Sequence, residues 1–546
     1  MWTRFGLTML ALVGATAQAQ AQPSPVQSSA IREDVRILSS DAFQGRGPGE
    51  RGETATLAYL RGQFEAAGLA PGGPNGSWYQ DVPLTRFDRT DRSFELRVGT
   101  ERLALEQARD WSIVDGPMGR TTLQDAPLVF VGFGIHAPEL GWDDYAGLDL
   151  TGKVAVMLYN DPDWDQETGP FGGRSLSAYG RRGRKVQFAY ERGAAGVILI
   201  YQPALVSAPW RQPWNADSDP SWRLRAATAT APTGRVAIQA MLREDPAADL
   251  FRRAGLDLAA LTRQAQQQGF RAVPISGATL SASLTVTATP IVTRNIIARL
   301  DGTSRAAETV AFGAHWDAYG MGPPDPRGDT IRNGAIDNAI GTATLLEVAR
   351  AFARAPRTAR TLLFIGFTAE EDGLLGAYHY AANPVRPLGT TAAMFNLDPH
   401  LALPRTRSIE LIGAGRTDLE DDLARVAATH ELRIEPEASP EAGWYRRSDH
   451  LAFAEAGVPV VYFRAGRDLA NGGPVAGNAL VTAYNSERYH QREDEFDEGW
   501  DMAAAAQEGT LVYSLGRELA DSGRWPTWRA TSDYRTVRER TAQERR

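Results

Sequence analysis

AFGAHWDAYGMG (311–322), NGAIDNAIG (333–341), TLLFIGFTAEEDG (361–373) and AMFNLDPH (393–400) follow one another in the stretch around Glu308 to Asp398, and each opens or follows an element that reads cleanly. Glu308 to Ala314 and Thr361 to Thr368 are short apolar runs bounded by polar or glycine residues. They are too short for core helices and read as buried strands. Asn338 to Ala353 places Ile340, Leu345, Leu346, Ala349 and Phe352 at helical spacing behind the capping-type residues Asp337 and Asn338, which predicts a helix. Strand, helix, strand, helix, strand is the signature of a mainly parallel, twisted sheet with helices on both faces, an α/β fold.

Polar side chains stand just past the ends of these strands: His315 and Asp317, then Glu370 and Glu371, then Asp398. In an open α/β sheet the crevice outside the carboxyl ends of the strands is where ligands bind. One histidine and several carboxylates converging there, without cysteine, form an N/O donor set suited to Zn²⁺. Adjacent glutamates offer two jobs, ligand and base, and the set points to a metal-dependent hydrolase.

Several bland readings compete. Asp337 can be a simple helix N-cap, and Glu370–Glu371 can meet a helix dipole. The tyrosine Tyr445 can be half-buried packing. Ser448, Asp449 and His450 are consecutive, so their side chains diverge and cannot act as a serine-hydrolase triad. His450 reads as structural, and His136, His379, His400 and His430 as surface, helix or structural residues.

The 546 residues suggest two to three domains at roughly 150 residues each. With 43% hydrophobic and 23% charged residues the chain is ordinary globular material. Net charge −8 with no basic stripe argues against a nucleic-acid partner. The absence of cysteine removes disulfides, thiolate zinc sites and cysteine nucleophiles together.

Met1 to Gln22 joins Arg4, an apolar run from Phe5 to Ala17 and AQAQAQ, a pattern that predicts a secretory signal cut after Ala19 or Ala21. The apolar run is shorter than the ~20 residues of a membrane span, so no integral membrane segment is expected after cleavage. Export of a cysteine-free protein suits a bacterial periplasm or the medium. A strand is expected near 94–98, and strands near 128–132, 154–159 and 196–201 with a helix at 184–192 form a middle region, roughly 120 to 285, without a cluster of ligand-type residues. Strand character returns after Pro290 in NIIARLDG, so the middle region is expected to be an insertion. The expected division is a signal (1–21), a first part of the main domain (22–119), the insertion (120–285), a second part with the metal site (286–520) and a tail (521–546).

Together AHWDAYG, NGAIDNAIG, FTAEEDGLLGA, NLD, YRRSDH and YHQREDE resemble the co-catalytic zinc exopeptidases of the aminopeptidase/glutamate-carboxypeptidase type. The insertion, with GVILIY following ERGAAG, looks like the smaller, β-rich protease-associated (PA) domain that these enzymes often carry. The resemblance covers most of residues 30 to 520. It implies two Zn²⁺ ions, with Asp337 bridging, His315 and Asp398 on one and Glu371 and His490 on the other. It further implies Glu370 as general base, Asp317 orienting the His315 imidazole, and Tyr445 stabilising the oxyanion. Ile336 stands where many members have Asp, Ala377 replaces a common Ser, and Pro399–His400 replaces the usual continuation after NLD. These departures bear on substrate preference more than on catalysis. The implied activity is an exported aminopeptidase acting on peptides. The alternatives are a carboxypeptidase or dipeptidase on the same site, with Arg446, Arg447 and Arg464 as candidate grips for a terminal carboxylate; a glutaminyl-cyclase-like transferase; and a receptor-like binding protein without activity. The last predicts missing ligands, and none is missing.

Overall fold

The computed structural model describes residues 24–203, 210, 220–225, 235–398 and 401–545. The expected signal segment and Pro399–His400 lie outside the described residues. Helices α1 (Ser28–Leu38) and α2 (Arg51–Ala66) lead into a long strand β1 (Tyr79–Val98), then β2 (Trp111–Asp115), β3 (Gly119–Phe130) and β4 (Val154–Leu158). Next come α3 (Arg182–Glu191), β5 (Gly196–Tyr201), β6 (Ile238–Arg243), the very long β7 (Val273–Leu300) and β8 (Arg305–His315). The remainder comprises α4 (Gly341–Arg354), β9 (Arg360–Phe367), α5 (Leu375–Ala382), β10 (Thr391–Asn396), β11 (Ser408–Ile412), β12 (Arg433–Pro436), β13 (Val460–Ala465), α6 (Gly473–Glu487) and α7 (Ala503–Asp521).

The strands named here belong, among the described residues, to one 16-stranded sheet whose main path runs β12-β11-β13-β10-β8-β9-β7-β3-β4-β5-β6-β2. The central ladders β13-β10-β8-β9 are parallel, as are β3-β4-β5-β6, while β7 runs antiparallel to both β9 and β3. The expectation of a mainly parallel sheet flanked by helices holds. The strand expected after Pro290 is the end of β7, which begins at Val273 and crosses between the two halves of the sheet. Pro290 is tolerated because only β1 pairs with β7 there: the β3 ladder stops at Val286 and the β9 ladder starts at Ile296. A proline costs a ladder bond only where a partner would have accepted it.

The parallel strands beside the site are buried on both faces, which is why they read as continuous apolar runs rather than alternating ones. Around Phe312 of β8 the rings of Phe364 and Phe395 stack at 5.0 and 5.6 Å, and Phe352 of α4 tilts in at 5.3 Å. In β4, Val154, Val156 and Leu158 enter one core while Ala155 and Met157 enter a separate one on the other face. The first of these two cores also takes in Phe94, Leu96 and Trp111. No described helix is long and apolar enough to cross a membrane.

α7 approaches the sheet so closely that a Cβ on Gly516 would stand 2.5 Å from Phe312. Gly516→Ala is therefore expected to destabilise the fold by about 1–3 kcal/mol, the usual cost of overpacking a filled core. Denaturant titration measures this, and an unchanged midpoint would show that the helix can back away.

Candidate metal centre

The parallel strands deliver their last residues to one rim. His315 ends β8, Glu370 and Glu371 follow β9, and Asp398 follows β10. Asp337 comes from the turn before α4, and His490 from the loop after α6. His315 Nε2 lies 3.3 Å from Asp337 Oδ1, 3.4 Å from Asp398 Oδ1 and 3.9 Å from Glu370 Oε2. His490 Nε2 lies 3.0 Å from Asp337 Oδ2 and 3.6 Å from Glu371 Oε2. The two oxygens of Asp337 thus face two different imidazoles.

Asp337 makes no side-chain cap to the helix that follows. The capping bond comes from Asn338, whose Oδ1 accepts the Gly341 N–H at 2.9 Å while its Nδ2 donates to Leu397 O. The Asp337 carboxylate faces the two imidazoles, and the capping bond to Gly341 falls to Asn338. Asp317 stands one layer out. Its carboxylate accepts the Glu370 N–H at 3.2 Å and lies 3.7 Å from His315 Nδ1, whereas its carbonyl is nearer to that nitrogen, at 3.1 Å.

Tyr445 is placed elsewhere. Its ring packs edge-on against His450 at 4.8 Å, beneath Arg416 at 4.2 Å and against the backbone of Gly413. The buried hydroxyl meets no partner among the described residues, and burial raises its pKa far above the ordinary tyrosine value. The tyrosines that line the site cavity are Tyr319, Tyr462 and Tyr489. A tyrosine three residues before SDH gave no clue to which way its ring turns. His450 is sandwiched between Tyr445 and Tyr462, and burial depresses its pKa to about 3, so it is neutral and structural.

Several neighbouring residues hold the donors in place. Asp494, four residues after His490, accepts the backbone N–H groups of Ile336 and Asp337 at 3.0 Å. Ser448 donates to Asp398 Oδ2 and in turn accepts from Asn396 Nδ2. Tyr319 hydroxyl lies 3.1 Å from His490 Nδ1. Arg46, from the segment between α1 and α2, is fully buried and donates to the carbonyls of Trp316, Leu38, Asn333 and Gly334. Histidine ligands usually need a partner on the other ring nitrogen, and both imidazoles have one here.

The electrostatics call for cations. Burial raises the pKa of both Glu370 and Glu371 well above the carboxylate range, and neighbouring carboxylates push in the same direction. Burial alone would lower His315, but Glu370, Asp398, Asp317 and Asp337 together raise it well above its usual value. His315 Nε2 and Glu371 Oε1 are buried without a hydrogen-bond partner. Isolated buried charge of this kind is costly unless a counter-ion satisfies it. Three donor groups fit metal ions, His315–Asp337–Asp398, Asp337–Glu371–His490 and His315–Glu370–Glu371, each with its donor atoms within 4.8 Å of one another. A cavity of about 520 Å³ opens onto them, and part of its wall comes from the middle region through Arg182, Trp222 and Gln239. Sequence reading found no ligand cluster in that region and could not show that it closes the site.

Imidazole and carboxylate donors thus meet at the carboxyl rim of the parallel strands as a candidate metal centre. Residues 295–514 match the model of Peptidase family M28. The finding agrees with the exopeptidase resemblance read from the motifs. Over 110 residues the chain is 38% identical to a probable zinc metalloprotease of Pyrenophora tritici-repentis, covering 20% of this chain and 24% of that protein. Over 269 residues it is 26% identical to the probable lipoprotein aminopeptidase LpqL of Mycobacterium tuberculosis, covering 47% of this chain and 51% of that protein. The chain thus spans between about a quarter and a half of these curated relatives. An aminopeptidase from Aneurinibacillus sp. strain AM-1 shares the fold, with a TM-score of 0.55 at 20% identity over 92% of this chain and 96% of that one.

Proposed function

We propose that the protein is an exported, zinc-dependent exopeptidase, an aminopeptidase removing N-terminal residues from peptides. The observation that carries this reading is the shared carboxylate. Asp337 belongs to both the His315–Asp398 group and the Glu371–His490 group and turns one oxygen to each. A carboxylate placed between two donor sets suits a pair of cations about 3.5–4 Å apart. The residues present therefore fit two Zn²⁺ ions. Zinc bound there would polarise a peptide carbonyl and lower the pKa of a bound water to about 7.

The chain's own part is positioning and proton transfer. Glu370 lies at the cavity wall with its Oε2 near His315, where it can take a proton from attacking water and pass it to the leaving amine. Its backbone N–H is held by the Asp317 carboxylate, while the Asp317 carbonyl meets the His315 imidazole, so one residue aligns both. Tyr319 fixes His490, and Ser448 fixes Asp398. Middle-region residues Arg182, Trp222 and Gln239 add a second wall to the cavity, and a walled site favours exopeptidase over endopeptidase action. The division into a PA-like insertion at 120–285 and a peptidase domain in two parts belongs to the same proposal.

Purified protein is expected to hold about two zinc ions per chain and to lose activity on chelation, with Zn²⁺ restoring it. Metal analysis finding only trace zinc in active enzyme would sink the reading. Peptides blocked at one end or the other decide direction: cleavage that needs a free carboxyl terminus rather than a free amine would establish the carboxypeptidase alternative. Export predicts a mature chain that begins after Ala19 or Ala21, which amino-terminal sequencing reads directly.

A further inference from the structure

The loop between β12 and Ser448 touches both donor groups of the metal centre. At its inner end Ser448 donates to Asp398, on the His315 side. One residue earlier, Arg447 donates to the Tyr489 hydroxyl at 3.0 Å, and the Tyr489 ring lies on that of His490 with centroids 3.7 Å apart. Trp444 joins the two, since Arg447 stacks over it at 4.7 Å and Tyr489 meets it edge-on at 5.9 Å. Trp444–Arg446 is one tight helical turn, closed by the Arg446 N–H on Gly443 O at 2.9 Å and the Arg447 N–H on Trp444 O at 3.1 Å. A turn closed in this way moves as a unit, so a shift at Gly443 reaches Arg447 and Ser448 together.

The outer side of the same loop is fastened to the middle region. Asn160 Nδ2 donates to Glu441 O at 3.0 Å, and Arg174 pairs with the Glu441 carboxylate at 2.8 Å. The Leu176 N–H donates to Pro440 O at 3.4 Å, and the Leu176 carbonyl accepts from Arg446 Nε at 3.2 Å. Gly443, at φ +68°, has no room for a side chain: a Cβ there would stand 2.6 Å from Leu176 Cδ2. The segment that offers these contacts is itself pinned. The buried carboxylate of Asp161 accepts the Ser177 N–H at 2.8 Å, and the Ser177 hydroxyl accepts the N–H groups of Tyr179 and Gly180, each at 3.2 Å. Closely packed segments transmit displacement rather than absorb it.

We propose that Asn160 and Leu176 are positioning residues for the metal centre, which they reach through the 440–448 loop. The middle region then does more than wall the cavity: it sets the geometry of Asp398 and His490. The inference rests on the zinc reading above and deepens it, and metal binding tests it apart from peptide cleavage.

Full-length protein is equilibrated with chelator-buffered zinc over a range of free concentrations, and bound zinc per chain is measured. Leu176→Ala opens a gap against Gly443. Asn160→Asp keeps the side chain's shape but replaces the donor with a carboxylate, at a left-handed position (φ 60°) that aspartate tolerates. Both variants should need about 10- to 100-fold more free zinc for half occupancy, the loss typical when groups that orient ligands are disturbed. Leu176→Met refills the gap and should bind zinc nearly as the parent does. Leu250→Ala trims the middle region's own core at a residue in neither segment, and its zinc affinity should stay unchanged. Unchanged affinity in both Leu176→Ala and Asn160→Asp overturns the proposal. An equal loss in Leu250→Ala also overturns it, because the effect would then be general destabilisation. Wild-type protein that binds no zinc defeats the zinc reading and the proposal with it. The expected shifts in a protein that cleaves no peptide would leave the positioning roles standing and refute the exopeptidase reading.

Discussion

Glu370→Gln is expected to keep its zinc and its affinity for substrate while losing at least ~10²-fold in kcat, the usual scale of a general acid–base contribution. The glutamine is nearly isosteric and still lines the cavity, but it cannot hold the proton that Glu370 would carry. Glu371→Gln should behave differently. Glu371 shares a donor group with Asp337 and His490, and losing its charge weakens one metal position. Zinc content should fall toward one ion per chain, and activity should return in part at high zinc. Paired metal analysis and kinetics on both variants decide the assignment. Zinc lost from Glu370→Gln but kept by Glu371→Gln would mean that the roles are exchanged. Unchanged kcat in both would mean that this rim is not the active site.

The sheet centre was legible because it obeys local rules. Residues 361–368 form an unbroken apolar run that only a strand buried on both faces explains, and the strand found there is Arg360–Phe367. Likewise the donors His315, Glu370, Glu371 and Asp398 stand where parallel strands end, so a one-dimensional pattern implied a three-dimensional rim. What escaped is set by distance in the sequence. Arg46 reaches Asn333 and Gly334 across nearly 290 residues, and Arg182 and Trp222 reach the cavity from the middle region. No periodicity encodes such contacts. Tyr445 escaped for another reason, since a residue's position along a loop fixes its neighbourhood but not the rotamer that aims its hydroxyl.

Arg46→Met is expected to have the largest effect of any substitution outside the donor set. Its guanidinium donates to four carbonyls, two of which, on Asn333 and Gly334, belong to the turn that presents Asp337. Burial lowers its pKa to about 10, opposed by the nearby charges of Asp494, Asp317, Asp337 and Glu371, so it remains a cation at neutral pH. A methionine of similar length fills the space but leaves those carbonyls unpaired and the carboxylates without their cation. Removing one partner from a buried charged network costs about 3–5 kcal/mol. Metal affinity should fall as well, by the 10- to 100-fold typical when the residues that orient ligands are lost. Arg46→Lys tests which part matters. It restores the charge, but a single ammonium cannot reproduce a planar fork aimed at four acceptors. Stability near wild type with zinc affinity still impaired would show that the fork sets the turn geometry. Full zinc affinity in Arg46→Met would show that Asp494 alone, through the N–H groups of Ile336 and Asp337, is enough to hold the bridging carboxylate in place.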